Sequence, residues 1–162
     1  MAKLYEIVIF TASVEAYALP LMQKLDPNRV SSAILWREFC TQQGAMYVKD
    51  MSKLGRKIED IILLDNSPNS YYYQPENALP VLNWYDNPMD RELFKYYEFL
   101  EALVWVPDVR EFLPKVNKAD NFDYQKAKEI STEISKNSQK QQKSKCKNLI
   151  FRRKAKKHEV NG

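Results

Sequence analysis

Four aliphatic residues, Ile61, Ile62, Leu63 and Leu64, run without a break into Asp65, Asn66, Ser67 and Pro68. An apolar run of this length with no polar alternation suits a strand covered on both faces, as in parallel sheets flanked by helices. Such sheets present their working edge at the carboxyl ends of the strands, which is where Asp65 falls. The pattern recurs along the chain. "YEIVIF" stops at Thr11, Ala12 and Ser13, and "AMYVKD" delivers Lys49 and Asp50 at its end. Between them "LDPNRVSSAILWREFC" reads as a turn and a short strand, and "LPVLNWYDN" repeats the pattern weakly.

Helical signals separate these runs. Ser13 is placed to cap a helix with Glu15 in its first turn, and Tyr17, Leu21 and Leu25 fall four apart on one face, with a kink expected at Pro20. Asn87 as cap, Pro88 at the first helical position and Asp90 in the first turn start another helix, with Leu93, Tyr97, Leu100 and Val104 as its apolar stripe. Asp108 caps a shorter segment carrying Phe112, Leu113 and Val116. Strands alternating with helices imply an α/β fold with a mostly parallel sheet flanked by helices. At 162 residues, 44% of them hydrophobic, the chain has material for one core. That domain is assigned to residues 1–116, and 117–162 reads as a polar tail too poor in apolar side chains to offset ordering entropy.

Charge divides along the same line. Residues 1–135 hold 15 Lys+Arg against 20 Asp+Glu, a net of −5, and residues 136–162 hold 10 against 1, a net of +9. "FRRKAKK" within the tail suits a nuclear-import patch or a solvated basic segment, and its attraction to nucleic acid would be sequence-blind. Two cysteines, Cys40 and Cys146, are far apart and suggest neither a disulfide framework nor a thiolate zinc site. The single histidine, His158, lies in the tail, which argues against a Ser-His-Asp triad or a histidine-rich metal centre. No apolar run reaches the ~18 residues of a membrane span, and the amino terminus lacks the pattern of a signal peptide. The reading is a soluble protein, neither secreted nor in a membrane.

If the strand ends converge, Thr11, Lys49 and the Asp65/Asn66 pair share one crevice. A hydroxyl and an ammonium suit phosphate oxygens, and adjacent carboxylate and amide oxygens suit a hard cation such as Mg²⁺. "DNSP" is also good turn chemistry, and Tyr71, Tyr72 and Tyr73 read as packing residues.

"YEIVIFTAS", "YVKDMSKLGR", "IILLDNSPNSYYYQPENALPV" and "WYDNPMDREL" follow one another in an order that resembles the small carboxy-terminal-domain phosphatases, the FCP/SCP-type branch of the haloacid dehalogenase (HAD) superfamily. The resemblance covers residues 4 to 116. It implies a HAD-like, Rossmann-type domain that removes phosphate from phosphoserine or phosphothreonine in a protein or peptide, often the repetitive tail of RNA polymerase II, with Mg²⁺. By that resemblance Thr11 matches the phosphate-binding hydroxyl, and Lys49 the lysine that steadies an aspartyl-phosphate intermediate. Asp65 and Asn66 match the acidic motif at the metal, Asn66 as a direct ligand and Asp65 as support for the lysine and for metal-bound water.

The resemblance also implies a first, central strand ending in D-x-D-x-T, and this sequence contains no D-x-D. Thr11 and Lys49 can then hold phosphate but not take it, and Mg²⁺ binding is expected to be weak or absent. Two readings follow: a Ser/Thr protein phosphatase whose record lacks its amino-terminal portion, by a truncated gene model or a partial product, inactive as written; or, in the binding class, a pseudophosphatase or phosphopeptide-binding scaffold. The implied location is nuclear or cytoplasmic.

Overall fold

A computed structural model describes residues 1–118 and 121–140. The chain opens in a turn in which Leu4 and Tyr5 donate N–H bonds to the Met1 carbonyl. Only the end of "YEIVIF" is a strand, β1 (Val8–Phe10). After β1 comes helix α1 (Glu15–Leu25), and then β2 (Ala33–Leu35), which pairs parallel to β1 with Ile9 opposite Ile34. The next two strands, β3 (Thr41–Gln43) and β4 (Met46–Val48), form an antiparallel hairpin around Gly44, whose positive φ of 59° suits the turn. Strand β5 (Leu63–Asp65) then pairs parallel to β6 (Ala78–Pro80). Helices α2 (Tyr97–Leu103) and α3 (Leu113–Val116) follow, then a small antiparallel pair, β7 (Asn117–Lys118) with β8 (Asn121–Phe122), and helix α4 over 124–140.

The result is a mixed α/β fold with small parallel sheets and helices, compatible with a HAD-like architecture. The expectation of one mostly parallel sheet needs correction. Among the described residues the strands form four two-stranded pairs, two parallel and two antiparallel, and Lys49 leaves a hairpin strand rather than a parallel one.

Two apolar clusters hold these pieces. The larger joins Leu79 of β6 to Tyr96, Phe99 and Leu103, to Val109, Leu113 and Val116, and to Ala127, Ile130 and Ile134. The smaller packs Met51, Tyr71 and Ala78 with Leu54, Ile58, Ile61 and Leu63 around β5. Asn77, fully buried, stitches the approach to β5 by donating Nδ2–H bonds to the carbonyls of Ile58 at 2.7 Å and Ile61 at 2.8 Å. Buried carbonyls without a ladder partner require such a donor.

Three sequence expectations are revised by this packing. The tail does not begin at residue 117. Residues 124–140 form a helix, and Ala127, Ile130 and Ile134, spaced three and four apart, enter the main core. A narrow apolar stripe suffices because α2 and α3 supply the opposite wall. Residues 141–162, including Cys146, "FRRKAKK" and His158, lie outside the described residues.

On α1 the buried residues are Ala18 and Met22, and Tyr17, Leu21 and Leu25 are exposed, so the inward face is not the expected one. The helix runs uninterrupted through Pro20, with Val14 at the cap position and no side-chain cap from Ser13. The helix expected from Pro88 begins as a 3₁₀ turn at Glu92 and becomes α-helical at Tyr97. Asn87 instead closes a local turn by accepting from Met89 N–H. The inward face there is Tyr96, Phe99, Leu100 and Leu103, while Leu93 and Tyr97 are exposed. Asp108 does act as the expected cap, accepting from Arg110 N–H at 2.9 Å.

Candidate functional site

Every residue singled out for chemistry lies at or just past the carboxyl end of a strand. Thr11 follows β1 and Lys49 follows β4, while Asp65 closes β5 and Asn66 comes next. The Lys49 ammonium donates directly to Asp65 Oδ2, and both residues are buried, at 8% and 6% exposure. Backbone contacts fix each partner. Lys49 N–H donates to the Ser70 carbonyl at 2.8 Å. Asp65 Oδ1 accepts from Ser67 N–H at 2.9 Å, and the Asp65 carbonyl accepts from Val81 N–H at 3.1 Å. "DNSP" therefore is turn chemistry, and that turn aims the Asp65 carboxylate at Lys49. Among the described residues Asp65 is the single hydrogen-bond partner of the Lys49 ammonium, which carries three donors. Its other two N–H groups have no hydrogen-bond partner among the described residues.

Thr11 N–H extends the β1–β2 ladder by bonding the Leu35 carbonyl at 2.8 Å. Its Oγ1 accepts from Ser13 N–H at 3.1 Å, which leaves its own hydroxyl proton to be donated elsewhere. Cys40 connects this side to the ion pair: its Sγ approaches the Thr11 carbonyl at 3.9 Å. Burial pushes the Cys40 thiol up, with Asp65 and Glu38 adding to the effect and Lys49 and Arg37 opposing it, so Cys40 lies in the field of both members of the pair. The described contacts join Lys49 directly to Asp65 and Cys40 to the Thr11 carbonyl, and none among the described residues bonds Thr11 to the ion pair.

Sequence reasoning missed Arg37 and Cys40. Arg37 Nε donates to the Ala12 carbonyl at 2.7 Å and its guanidinium lies 4.8 Å from the centre of the Tyr47 ring. Both residues stand just beyond β2, in the polar end of "AILWREFC", so the same rule that picked out Asp65 would have found them.

Asn66 is exposed and donates Nδ2–H to Asn83 Oδ1. Nothing among the described residues donates to its Oδ1. No group of three or more His, Cys, Asp or Glu among the described residues is arranged to hold a metal. Mg²⁺ commonly takes only one or two protein oxygens and completes its shell with water and phosphate oxygens. The described residues do not complete such a site: both Asp65 oxygens are engaged, by Lys49 and by Ser67 N–H, which leaves Asn66 Oδ1 as a single neutral oxygen. A cleft of about 550 Å³ between α2 and α4, bordered by Glu98, Trp105 and Ser135, lies away from these groups.

Residues 1–110 match the family model described as NLI interacting factor-like phosphatase. The chain belongs to that family. The family match takes in Thr11, Arg37, Cys40, Lys49, Asp65, Asn66 and Asn83, and ends before α3 and α4. Family relatives agree. A "Probable C-terminal domain small phosphatase" of Dictyostelium discoideum is 46% identical over 110 residues, 68% of this chain and 36% of that protein. A human "Carboxy-terminal domain RNA polymerase II polypeptide A small phosphatase 1" is 45% identical over 113 residues, 70% of this chain and 43% of the relative. "Phosphatase PSR1" of Saccharomyces cerevisiae is 43% identical over 103 residues, 64% of this chain and 24% of the relative. The chain spans well under half the length of these NLI interacting factor-like relatives.

Proposed function

We propose that this chain carries the phosphate-gripping part of a protein serine/threonine phosphatase of the RNA polymerase II carboxy-terminal-domain type. One observation carries the proposal: a buried Lys49–Asp65 pair at strand ends, with two ammonium donors uncommitted, inside the region that matches a phosphatase family. Lys49 keeps one N–H on Asp65 and directs the others to phosphate oxygens, and Thr11 donates its hydroxyl proton to the same group. Asp65 anchors the lysine, and Asn66 Oδ1 would offer one oxygen to a cation whose other ligands lie outside the described residues. A bound Mg²⁺ supplies neutralisation of phosphate charge.

The sequence holds no D-x-D pair to attack phosphorus, so the proposed activity of the chain as written is retention of a phosphoserine or phosphothreonine peptide without turnover. In a longer form a preceding strand ending in D-x-D-x-T would supply the attacking carboxylate and an aspartyl-phosphate intermediate. Strands β1 and β5 each have one hydrogen-bonded neighbour among the described residues, which leaves each an edge for such a strand. Action in the nucleus is consistent with the name of the human relative and with the basic "FRRKAKK" stretch. The absence of a D-x-D favours a second reading, a phosphopeptide-binding scaffold.

Binding of a fluorescent phosphoserine peptide, followed by anisotropy against its unphosphorylated twin, tests the grip. The expected result is phosphate-dependent binding that Lys49→Ala removes. Equal binding of the two peptides overturns the proposal. Phosphate release only after an upstream D-x-D-x-T strand is joined to the chain selects the enzyme, and retention without release by that longer chain selects the scaffold.

A further inference from the structure

The cleft of about 550 Å³ between α2 and α4 has a buried floor, Ala102 and Ser131, and an exposed rim of Glu98, Glu101, Trp105 and Lys136. Its size falls in the range of about 300–1,000 Å³ that ligand clefts occupy. The rim carries unused chemistry. Among the described residues neither Glu98 nor Glu101 has an ion pair or a side-chain hydrogen bond, and Lys136 sets one positive charge against two carboxylates. Trp105 is 59% exposed, and its indole N–H has no partner among the described residues. Water satisfies an exposed carboxylate, but a large indole left open at the edge of a cleft belongs to the residue type most enriched among binding anchors. An occupant that suits this cleft brings apolar side chains for Trp105 and positive charge for the two glutamates.

We propose that this cleft is the docking site of the chain's own carboxy-terminal segment, with Leu149, Ile150 and Phe151 against Trp105 and the flanking Lys and Arg side chains facing Glu98 and Glu101. The docking holds whether or not Lys49 grips phosphate. Charge selects this occupant first: residues 141–162 hold 8 Lys+Arg against Glu159 alone, a net of +7, and "KNLIFRRK" sets three apolar side chains inside that charge. Such a segment gains from apolar burial, from ion pairs, and from a guanidinium or ammonium laid on the indole face. Its starting point also fits. Gln139 lines the cleft and the described residues end at 140, so the segment sets out from the cleft's own wall. Its reach is sufficient, because the eight residues 141–148 extend up to about 26–29 Å, against about 12 Å for the rise of α4 from 131 to 139. A tether this short holds its ligand at an effective concentration on the order of millimolar. Contacts too weak to keep a free peptide therefore fill the cleft, and a separate partner offering the same residues has to compete with that concentration.

The test uses the full ¹⁵N-labelled chain with a nitroxide at position 155, introduced as Ala155→Cys in a Cys40→Ser/Cys146→Ser background, four residues past Phe151. Paramagnetic broadening is read at the amides of Glu98 and Glu101 and at the Trp105 indole N–H, because residues close to 140 are broadened by the tether alone. The expected broadening is at least about threefold that seen with the same label on Leu149→Asp/Phe151→Asp, which keeps the tether and loses the apolar anchor. Glu98→Lys/Glu101→Lys, at exposed positions of α2, is expected to bring it down in the same way, and added salt to weaken it. Melting temperature checks that each variant folds. In the unlabelled chain with both cysteines in place, Leu149→Asp/Phe151→Asp is expected to shift the Trp105 indole signal, so the outcome does not hang on Cys40→Ser. Broadening no greater than in the Leu149→Asp/Phe151→Asp chain, or an unmoved indole signal, overturns the proposal and leaves the cleft to a separate partner. Broadening that appears only when a spin-labelled chain is mixed with an unlabelled ¹⁵N chain gives the cleft to a second copy and overturns it as well. Full broadening in Glu98→Lys/Glu101→Lys overturns the assignment to this cleft.

Discussion

Removing one member of the Lys49–Asp65 pair should cost the fold more than removing both. In Lys49→Met the Asp65 carboxylate, 6% exposed, keeps Ser67 N–H on Oδ1 but has nothing on Oδ2. Breaking a buried ion pair from one side typically costs about 3–5 kcal/mol, and the surviving Ser67 bond puts this case near the lower end, at about 3 kcal/mol. For a domain of this size that corresponds to a fall in melting temperature of about 6–12 °C. In Lys49→Met/Asp65→Leu no charge is stranded, and the double variant should regain most of the loss. Urea unfolding of the four proteins in the cycle gives the coupling directly. Additive single costs, or a Lys49→Met cost below about 1 kcal/mol, would refute the reasoning that the pair is a desolvated unit held for its chemistry.

Other expectations follow from the packing. Ile134→Ala should cost about 2–4 kcal/mol in urea unfolding, because its side chain enters the main cluster; a cost near zero would put 124–140 back into a tail. On α1, Met22→Ala should destabilise by about 2 kcal/mol while Leu25→Glu changes stability by less than about 0.5 kcal/mol, a contrast readable by thermal melts. The Ser31 hydroxyl, with Ser31 and Val30 N–H, holds the Asp26 carboxyl below the usual carboxylate range, and Arg110 and Lys118 do the same for Asp108 and Asp123. Folded values below unfolded ones give stability that is present above about pH 4 and is lost as pH falls through the folded values. Asp26→Asn should flatten part of that decline in melts taken between pH 5 and pH 2.

How much of this was legible depends on what each residue competes against. The ends of aliphatic runs were readable because four aliphatic side chains, partly buried in the fold, give way abruptly to Asp65 and Asn66. The partner of each strand was not, since pairing is set by distant segments; β4 looks like any other apolar run until Gly44 turns it back on β3. Helix faces were misread where large apolar side chains occurred on both sides. Tyr17, Leu21 and Leu25 make the more conspicuous apolar stripe, yet Ala18 and Met22 are the buried pair. Helix α4 escaped notice because only three of its apolar residues, Ala127, Ile130 and Ile134, are buried and the charges between them dominate the composition. The support of Lys49 by Asp65 was implied by the family resemblance, whereas the Asn66–Asn83 bond depends on rotamers that sequence does not encode.

Asn77 shows how far the reach of a structural amide extends. Its two donors set the depth at which the aliphatic run enters, and a displacement of that run carries the carboxylate at its tip away from the lysine. A screen scored by phosphate retention alone would file an Asn77 variant beside Lys49 and Asp65, although nothing about Asn77 meets the ligand. Only a parallel readout of folding would tell the misplaced tip from the missing one.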